Sequence, residues 1–279
     1  KQNSRRSPSR IRDGSRGKPV PEGPLDVRIE RLGDGGDGIA EAACGRLYIP
    51  LSLPGERVRV RPLRPRGDGF VAQVVDVLAP GAARQPPPCP HFGVCGGGAL
   101  QHPTDDAYAG WKTARLAAAR AGVGLGDGDV VAPLVRIPAG SRRRATFTAL
   151  RARAGGVHLG FQVRDGHAVV DLAICLVLDA AILPLLPELR RLFGAMLAPG
   201  GRASATVTLL DGGLDVLLTG APPRSLQDHE RLARFAEDAD LARLSWRTDD
   251  PAAARPPAGR RPGPHRLGGH PVTGAPAGL

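Results

Sequence analysis

Aromatic residues, lysine and cysteine are all scarce in this sequence. Phe, Trp and Tyr make up 4% of the 279 residues, and lysine occurs only at positions 1, 18 and 112, so 35 of the 38 basic residues are arginine. With few aromatic side chains but 38 glycines and 28 prolines, part of the chain is expected to stay disordered. No apolar run reaches the roughly 20 residues of a membrane-spanning helix, and no signal peptide is visible. We therefore predict a protein without membrane association.

The four cysteines fit a reducing cytoplasm better than a disulfide framework. Cys44 falls in a tight predicted hairpin, where we expect a small buried apolar residue. Cys89 and Cys95 lie six residues apart in the glycine-rich stretch 89–102. Thiolates are soft ligands suited to zinc or an iron–sulfur cluster, and glycines let the backbone fold around a metal ion. The pair therefore predicts half of a metal site.

The stretch 89–102 resembles the cluster signature of the RlmD/RumA-type RNA (uracil-5)-methyltransferases, which are relatives of TrmA. The matching residues are Cys89, Pro90, Phe92, Gly93, Cys95, Gly96, Gly97, Gln101 and His102. Where the family has its third cluster cysteine, this chain has Gly98. The strand-like context that begins at Gly160 is similar to the one that carries the fourth family ligand, and it gives that position to Cys175. The resemblance therefore implies a metal site of Cys89, Cys95 and Cys175 for a 4Fe-4S cluster.

One thiolate of the four that such a cluster normally takes is missing, so several states of this site stay open. The cluster is weakened or holds three iron atoms, or a nearby side chain such as His91 or His102 completes it, or the site holds no metal. The loss of a ligand favours the last of these. Three structural thiols with no link to a metal are a further alternative, against which the matched neighbours argue.

Residues 25–80 contain short alternating runs that end at Gly or Pro, and five predicted strands in about 55 residues indicate a small barrel of the OB type. This region resembles the TRAM domain, the RNA-binding barrel that precedes the cysteines in the family. Along residues 57–61 the period of two places both valines inward and Arg57, Arg59 and Arg61 on the outer face. We predict that these arginines bind RNA phosphates, and an ordinary solvated face is the alternative.

Residues 123–246 are predicted to form a central domain of strands and helices. Arg142, Arg143 and Arg144 open its first strand. The family has a similar triple arginine at the same place, and the resemblance implies contact with RNA phosphates. A solvated cluster is the alternative. Farther along the chain, residues 211–213 read Asp-Gly-Gly, which is a strong hairpin signal.

A helix is predicted to begin after Thr104, which can cap its first turn. Tyr108 and Trp111 lie on one face of it as i, i+3 neighbours. Such a pair can stack on RNA bases, but we predict that these two rings are core anchors.

The formal net charge of +11 indicates a polyanionic partner. Most of that charge is in the tails: residues 1–24 carry seven basic against two acidic residues, and residues 247–279 carry five against two, leaving only +3 between them. We predict a disordered basic arm and a disordered Pro/Arg/Gly-rich tail that attract RNA without sequence preference. The chain is predicted to act in the cytoplasm as a monomer, with ribosomal or transfer RNA as its partner.

Methyl transfer to uracil C5 needs a nucleophile, a base and bound S-adenosylmethionine. In the resembled family these lie in a C-terminal Rossmann-like domain. No cysteine follows Cys175, and no glycine-rich cofactor loop follows it either. We therefore identify no catalytic and no cofactor-binding residue, and S-adenosylmethionine is implied by the family alone.

These observations lead to one fold class and one function. The predicted fold is α+β, with an arm (1–24), a five-stranded OB-like (TRAM) β-barrel (25–80), a cysteine loop and linker helix (81–122), a mixed α/β central domain (123–246), a tail (247–279) and no Rossmann methyltransferase domain. The predicted function is the RNA-recognition portion of a uracil-C5 methyltransferase, truncated before its catalytic domain and inactive alone. A stand-alone RNA-binding module is the alternative. A radical S-adenosylmethionine methylthiotransferase would need a Cys-x3-Cys-x2-Cys motif, which is absent.

Overall fold

The computed structural model describes residues 19–125, 131–221, 223, 225–247 and three short strands between 258 and 273. The chain divides into two compact units, of which the first comprises residues 1–88 and 99–134 and the second residues 89–98 and 135–279. Within the described ranges, no helix is long and apolar enough to cross a membrane. Of the predicted basic arm, residues 1–18 lie outside the described part of the chain.

The first unit is built on a six-stranded mixed sheet with the strand order β1-β5-β6-β4-β3-β2. Its strands are β1 (Leu25–Arg28), β2 (Arg31–Leu32), β3 (Gly38–Ala42), β4 (Gly45–Ile49), β5 (Arg57–Arg66) and β6 (Gly69–Ala79). β4 pairs with β6 in parallel, and the other neighbouring strands pair antiparallel. Val58 and Val60 of β5 are fully buried and the arginines between and beside them are exposed, so the predicted alternation is present.

The predicted fold class, α+β with a five-stranded OB-like barrel, is wrong. The described residues form two six-stranded mixed sheets, one two-stranded hairpin and three helices. One cause is that residues 25–32 contribute two short strands, which pair with different neighbours. β1 pairs with β5 and β2 pairs with β3, while between them the amides of Ile29 and Glu30 donate to the carbonyls of Glu56 (2.9 Å) and Ile39 (2.8 Å). The alternation of apolar and polar residues predicts which face of the sheet a side chain occupies. It does not predict which strand is the neighbour or whether that neighbour runs parallel or antiparallel.

Helix α1 (Asp105–Gly122) completes the first unit. The side chain of Thr104 caps it by accepting a hydrogen bond from the amide of Ala107 at 3.4 Å. None of its residues is buried. Tyr108 and Trp111 are half-buried, so the prediction that both are core anchors is wrong. Their spacing fixes that they share a face of the helix, and nothing in the spacing says what covers that face.

The second unit contains another six-stranded mixed sheet, in the order β12-β11-β10-β9-β7-β8. Its elements are β7 (Arg144–Arg151), β8 (Val157–Gly160), α2 (Leu185–Met196), β9 (Arg202–Leu210), β10 (Gly213–Thr219), α3 (Leu226–Asp238), β11 (Arg243–Arg247), β12 (Ala258–Gly259) and the hairpin of β13 (Pro264–Leu267) and β14 (His270–Thr273). β10 and β11 are parallel, and the remaining pairs are antiparallel. The last three strands lie within the tail that the sequence predicts to be disordered.

Local sequence explains two features of the second unit. Helix α2 buries Leu185, Leu189 and Leu192 at the spacing of one helix face, and this face packs into the core of the unit. The hairpin signal lies where β9 turns into β10. Gly213 there has a φ of +121°, a conformation that strongly favours glycine.

Candidate nucleic-acid interface

Arg59, the central arginine of the predicted phosphate track, has its charge compensated within the first sheet. Its guanidinium donates two hydrogen bonds to the carboxylate of Asp26, with Nε–Oδ1 at 2.7 Å and Nη2–Oδ2 at 3.0 Å. The hydrogen bond from Arg59 holds the pKa of Asp26 below its ordinary value. A second acid, Asp76 of β6, lies opposite Arg59 in the strand register. Arg59 is therefore a weaker partner for phosphate than the sequence indicates.

Arg57 and Arg61 lie on the same exposed face of β5 and differ from Arg59 in their surroundings. Within the described residues neither makes an ion pair or a side-chain hydrogen bond. The residues opposite them on β6 are uncharged: Ala79 faces Arg57 and Gln73 faces Arg61. Arg57 also lowers the pKa of Asp26 through its charge, by less than Arg59 does. These two arginines therefore keep their positive charge and their donors open to a ligand.

Two further arginines, Arg64 and Arg66, lie in the second half of β5. Arg66 pairs with Asp37 at 2.8 Å, and its guanidinium carbon lies 4.5 Å from the ring centroid of Tyr48. Arg64 is exposed and makes no such contact within the described part of the chain. The sequence does not show this difference, because Asp37 and Tyr48 are distant from Arg66 in the chain. They contact Arg66 only in the folded sheet.

The triple arginine lies at the start of β7 in the second unit, and all three side chains are exposed. Arg143 forms an ion pair with Asp211 at 2.9 Å, so its charge is compensated. The backbone of Arg142 is fixed by a parallel bridge to Leu178. Arg144 is the first residue of the strand. The structure thus presents the three predicted residues together, with less net positive charge than three arginines imply.

The cysteine loop, residues 89–98, belongs to the second unit and is held there by backbone pairing. Cys95 forms an antiparallel bridge with Val163, and the amide of Gly96 donates to the carbonyl of Gln162 at 2.9 Å. The side chain of Cys95 is buried, with 8% of the residue exposed, and it packs within the apolar core of the unit. Protein contacts alone therefore fix the middle of this loop.

The three predicted ligands do not fit a 4Fe-4S cluster. Cys89, Cys95 and Cys175 are free thiols in the same unit, but across the described ranges no three His, Cys, Asp or Glu side chains are placed to hold a metal ion. Cys175 packs at the edge of the apolar core, and Cys89 is half-buried. Such a cluster takes four converging thiolates. The cysteines match the family signature in residue type, but their side chains do not form a metal-binding geometry.

We expect removal of iron to leave the stability of the protein unchanged, because hydrogen bonds and burial hold the cysteine loop. The measurement is anaerobic expression, an assay of iron and sulfide, and thermal unfolding before and after chelation. The Cys89→Ser and Cys175→Ser variants should unfold within a few degrees of the Cys44→Ser control in the first unit. Bound iron and sulfide, together with a midpoint that falls by more than about 4 °C on chelation, would contradict this expectation.

Comparison with known proteins finds relatives that are named RNA methyltransferases. No protein-family model matches the chain. An uncharacterized RNA methyltransferase of Brucella suis is 38% identical over 221 residues, which are 78% of this chain and 51% of that protein. A 23S rRNA (uracil(1939)-C(5))-methyltransferase RlmD of Alkalilimnicola ehrlichii is 35% identical over 231 residues, which are 82% of this chain and 52% of that protein. The chain therefore spans about half the length of the curated relatives it matches.

A solved structure has a similar fold. It is the Pyrococcus abyssi tRNA (uracil-54, C5)-methyltransferase in complex with S-adenosyl-L-homocysteine. The TM-score is 0.56 at 18% sequence identity, over 87% of this chain and 57% of that one. At this identity the likeness supports the fold alone.

Proposed function

The chain belongs, over the residues that it shares with these relatives, to the RlmD/TrmA family of RNA (uracil-C5)-methyltransferases, and we propose that its described residues form an RNA-binding part of such an enzyme. The observation that carries the proposal is a pair of arginines on the exposed face of β5, Arg57 and Arg61, which form no ion pair with any residue that the structure describes. A pair of guanidinium groups on a rigid strand can donate several charge-assisted hydrogen bonds to phosphate oxygens.

The remaining predicted residues have supporting roles in this proposal. Arg59, held by Asp26, helps to shape the surface and adds little net charge. Arg142, Arg143 and Arg144 form a second patch for phosphates, in which Arg143 is partly neutralised by Asp211. Contacts to phosphate fix the position of an RNA and carry no base information. The choice of a uridine must therefore come from other contacts.

Ribosomal or transfer RNA is the proposed substrate of the whole protein, and S-adenosylmethionine is its proposed methyl donor. Support comes from the names of the relatives, which act on uracil in 23S rRNA or tRNA, and from the S-adenosylhomocysteine in the neighbouring structure. When bound, the donor supplies the methyl group. We assign RNA binding to the described residues, and we assign none of them to a step of methyl transfer.

Replacing Arg57 and Arg61 together by alanine is expected to weaken RNA binding and to flatten its dependence on salt. Each phosphate contact contributes about 0.7 to 0.9 to the slope of log K against log salt, so the double variant should lose about 1.4 to 1.8. The measurement is fluorescence anisotropy of a labelled ribosomal RNA fragment at about 50 to 300 mM KCl.

Two matched variants make this test specific. Arg59→Ala should change the slope by less than either neighbouring arginine, because Asp26 already compensates its charge. Asp26→Asn should tighten RNA binding, since it releases the guanidinium of Arg59. If the double variant kept the affinity and slope of the parent chain, the β5 face would not be the RNA-binding surface and the proposed function would lose its basis.

A further inference from the structure

A pocket of about 460 Å³ lies within the first unit, beside helix α1. Its volume is in the range of known small-ligand sites, which is about 300 to 1,000 Å³. Its walls are mainly apolar and include Leu32, Pro54, Leu100, Pro103, Tyr108 and Trp111. The floor is well defined, because Pro103 is buried and pairs with Arg84 in an isolated β-bridge. A ligand with a flat apolar body would fit such a pocket.

The two aromatic rings of the pocket are not taken up by the core. Tyr108 and Trp111 are half-buried, and no residue of α1 is buried. Their ring centroids lie 6.2 Å apart, with the ring planes inclined at 47°. At this inclination the two rings do not stack face to face on each other. Trp111 lines the pocket, where its ring can meet another planar group.

Positive charge surrounds these rings. The ammonium of Lys112 lies 5.3 Å from the ring centroid of Trp111, and the guanidinium carbon of Arg115 lies 5.2 Å from it. Arg31 lines the pocket as well. The nearest acid of Arg115 is Asp34 at 3.7 Å, and Asp34 is almost fully exposed, so this ion pair compensates the charge weakly. Glu30, also in the lining, gives the rim one acceptor.

We propose that this pocket binds one unpaired base of an RNA strand, stacked against Trp111, with the adjoining phosphates on Lys112 and Arg115. Aromatic rings next to cations are the recurring chemistry of single-stranded nucleic-acid sites. An apolar protein segment would bury the rings equally well but would gain nothing from the surrounding cations. The proposal rests on the proposed function, since its ligand is part of the RNA, and it adds a contact to the base that the arginines of β5 do not supply.

The test uses the fluorescence of Trp111 in a Trp246→Phe chain, which leaves a single tryptophan. Short single-stranded oligoribonucleotides should quench this fluorescence in a saturable way, and the same oligonucleotides with abasic sites should not. Trp111→Ala should weaken binding about tenfold or more, since one base–aromatic stack is worth about 5- to 150-fold in affinity. Leu116→Ala, an exposed position of α1 outside the pocket, should bind like the parent chain.

The remaining outcomes separate this inference from the proposed function. RNA binding that depends on Arg57 and Arg61 but leaves the fluorescence of Trp111 unchanged would overturn the pocket and keep the function. Equal quenching by intact and abasic oligonucleotides would overturn base stacking. A change in fluorescence that follows protein concentration without RNA would show that a second copy of the chain occupies the pocket. Absence of RNA binding at any salt concentration would overturn the proposed function itself.

Discussion

Replacing Glu56 by glutamine is expected to lower the free energy of unfolding of the first unit by about 3 to 5 kcal/mol. Glu56 is fully buried, and its carboxylate accepts hydrogen bonds from Arg84 Nε at 2.5 Å and Nη2 at 2.9 Å. The amide of Leu53 donates to the same carboxylate at 2.8 Å. Glutamine has nearly the same volume but no charge, so the half-buried guanidinium of Arg84 would lose its counter-ion. Urea unfolding followed by circular dichroism measures the loss.

The ion pair links the residue before β5 to the segment that follows β6. Glu56 lies just before β5, and Arg84 follows β6. Arg84 Nη2 also donates to the carbonyl of Leu51 at 2.8 Å, where the backbone has a φ of +65°. The guanidinium of Arg84 thus helps to hold Leu51 in a backbone conformation that residues other than glycine rarely adopt.

Glu56 should also make the stability of the first unit depend on pH. Burial alone raises the pKa of this carboxyl, but the hydrogen bonds from Arg84 and from the amides outweigh burial and hold the pKa below its ordinary value of 4.5. The stabilisation is therefore complete above pH 4.5 and is lost as the pH falls through the lower pKa of the folded state. The glutamine variant should lose less stability than the parent chain over that acidic range.

An exposed ion pair of the same unit serves as the control. Glu41 accepts a hydrogen bond from Arg46 Nε at 2.8 Å, with half of the glutamate side chain exposed to solvent. Glu41→Gln should cost no more than about 1 kcal/mol, because water and salt screen this pair. If Glu56→Gln and Glu41→Gln lowered the free energy of unfolding equally, burial of Glu56 would not strengthen its ion pair, and the predicted ranking would be wrong.

The alternation of β5 could be predicted because a period of two is local: each valine and arginine needs only its immediate neighbours to be assigned a face. The hairpin between β9 and β10 is local in the same sense. The parallel pairing of β4 with β6 depends on where distant strands lie, and the division of residues 25–32 between two neighbours depends on it too. The fold class was wrong for that reason.

The candidate site shows the same limit. The sequence identifies Arg57, Arg59 and Arg61 as one face, but only the register of β1 against β5 brings Asp26 opposite Arg59. Likewise, the residue types of the cysteine loop match a metal-binding signature, whereas a metal site requires that distant thiols converge. The partial burial of Tyr108 and Trp111 depends on what packs against α1. Each of these properties is set by tertiary contacts.

Gly160→Ala is expected to destabilise the second unit by about 3 kcal/mol, because the site has no room for a methyl group. A Cβ atom there would lie 2.1 Å from the carbonyl oxygen of Val170 and 2.6 Å from Cγ of Leu172. The strand end cannot retreat, since the amide of Val170 donates to the carbonyl of Phe161 at 2.8 Å. Urea unfolding measures the loss, and the rate at which a thiol reagent modifies Cys95 reports on the neighbouring loop.

That second readout follows from the path of the chain. Gly160 ends β8, and only three residues later Val163 pairs with Cys95, so a displaced β8 should loosen the bridge and expose the thiol. Gly194→Ala provides a control in the same unit, because this variant is expected to raise the free energy of unfolding instead of lowering it. Its Cβ would lie an ordinary 3.7 Å from Val157, and alanine favours helix α2 over glycine by about 1 kcal/mol. If both alanine variants were equally stable, or if Cys95 stayed unreactive in Gly160→Ala, close contact at β8 would not be what holds the cysteine loop.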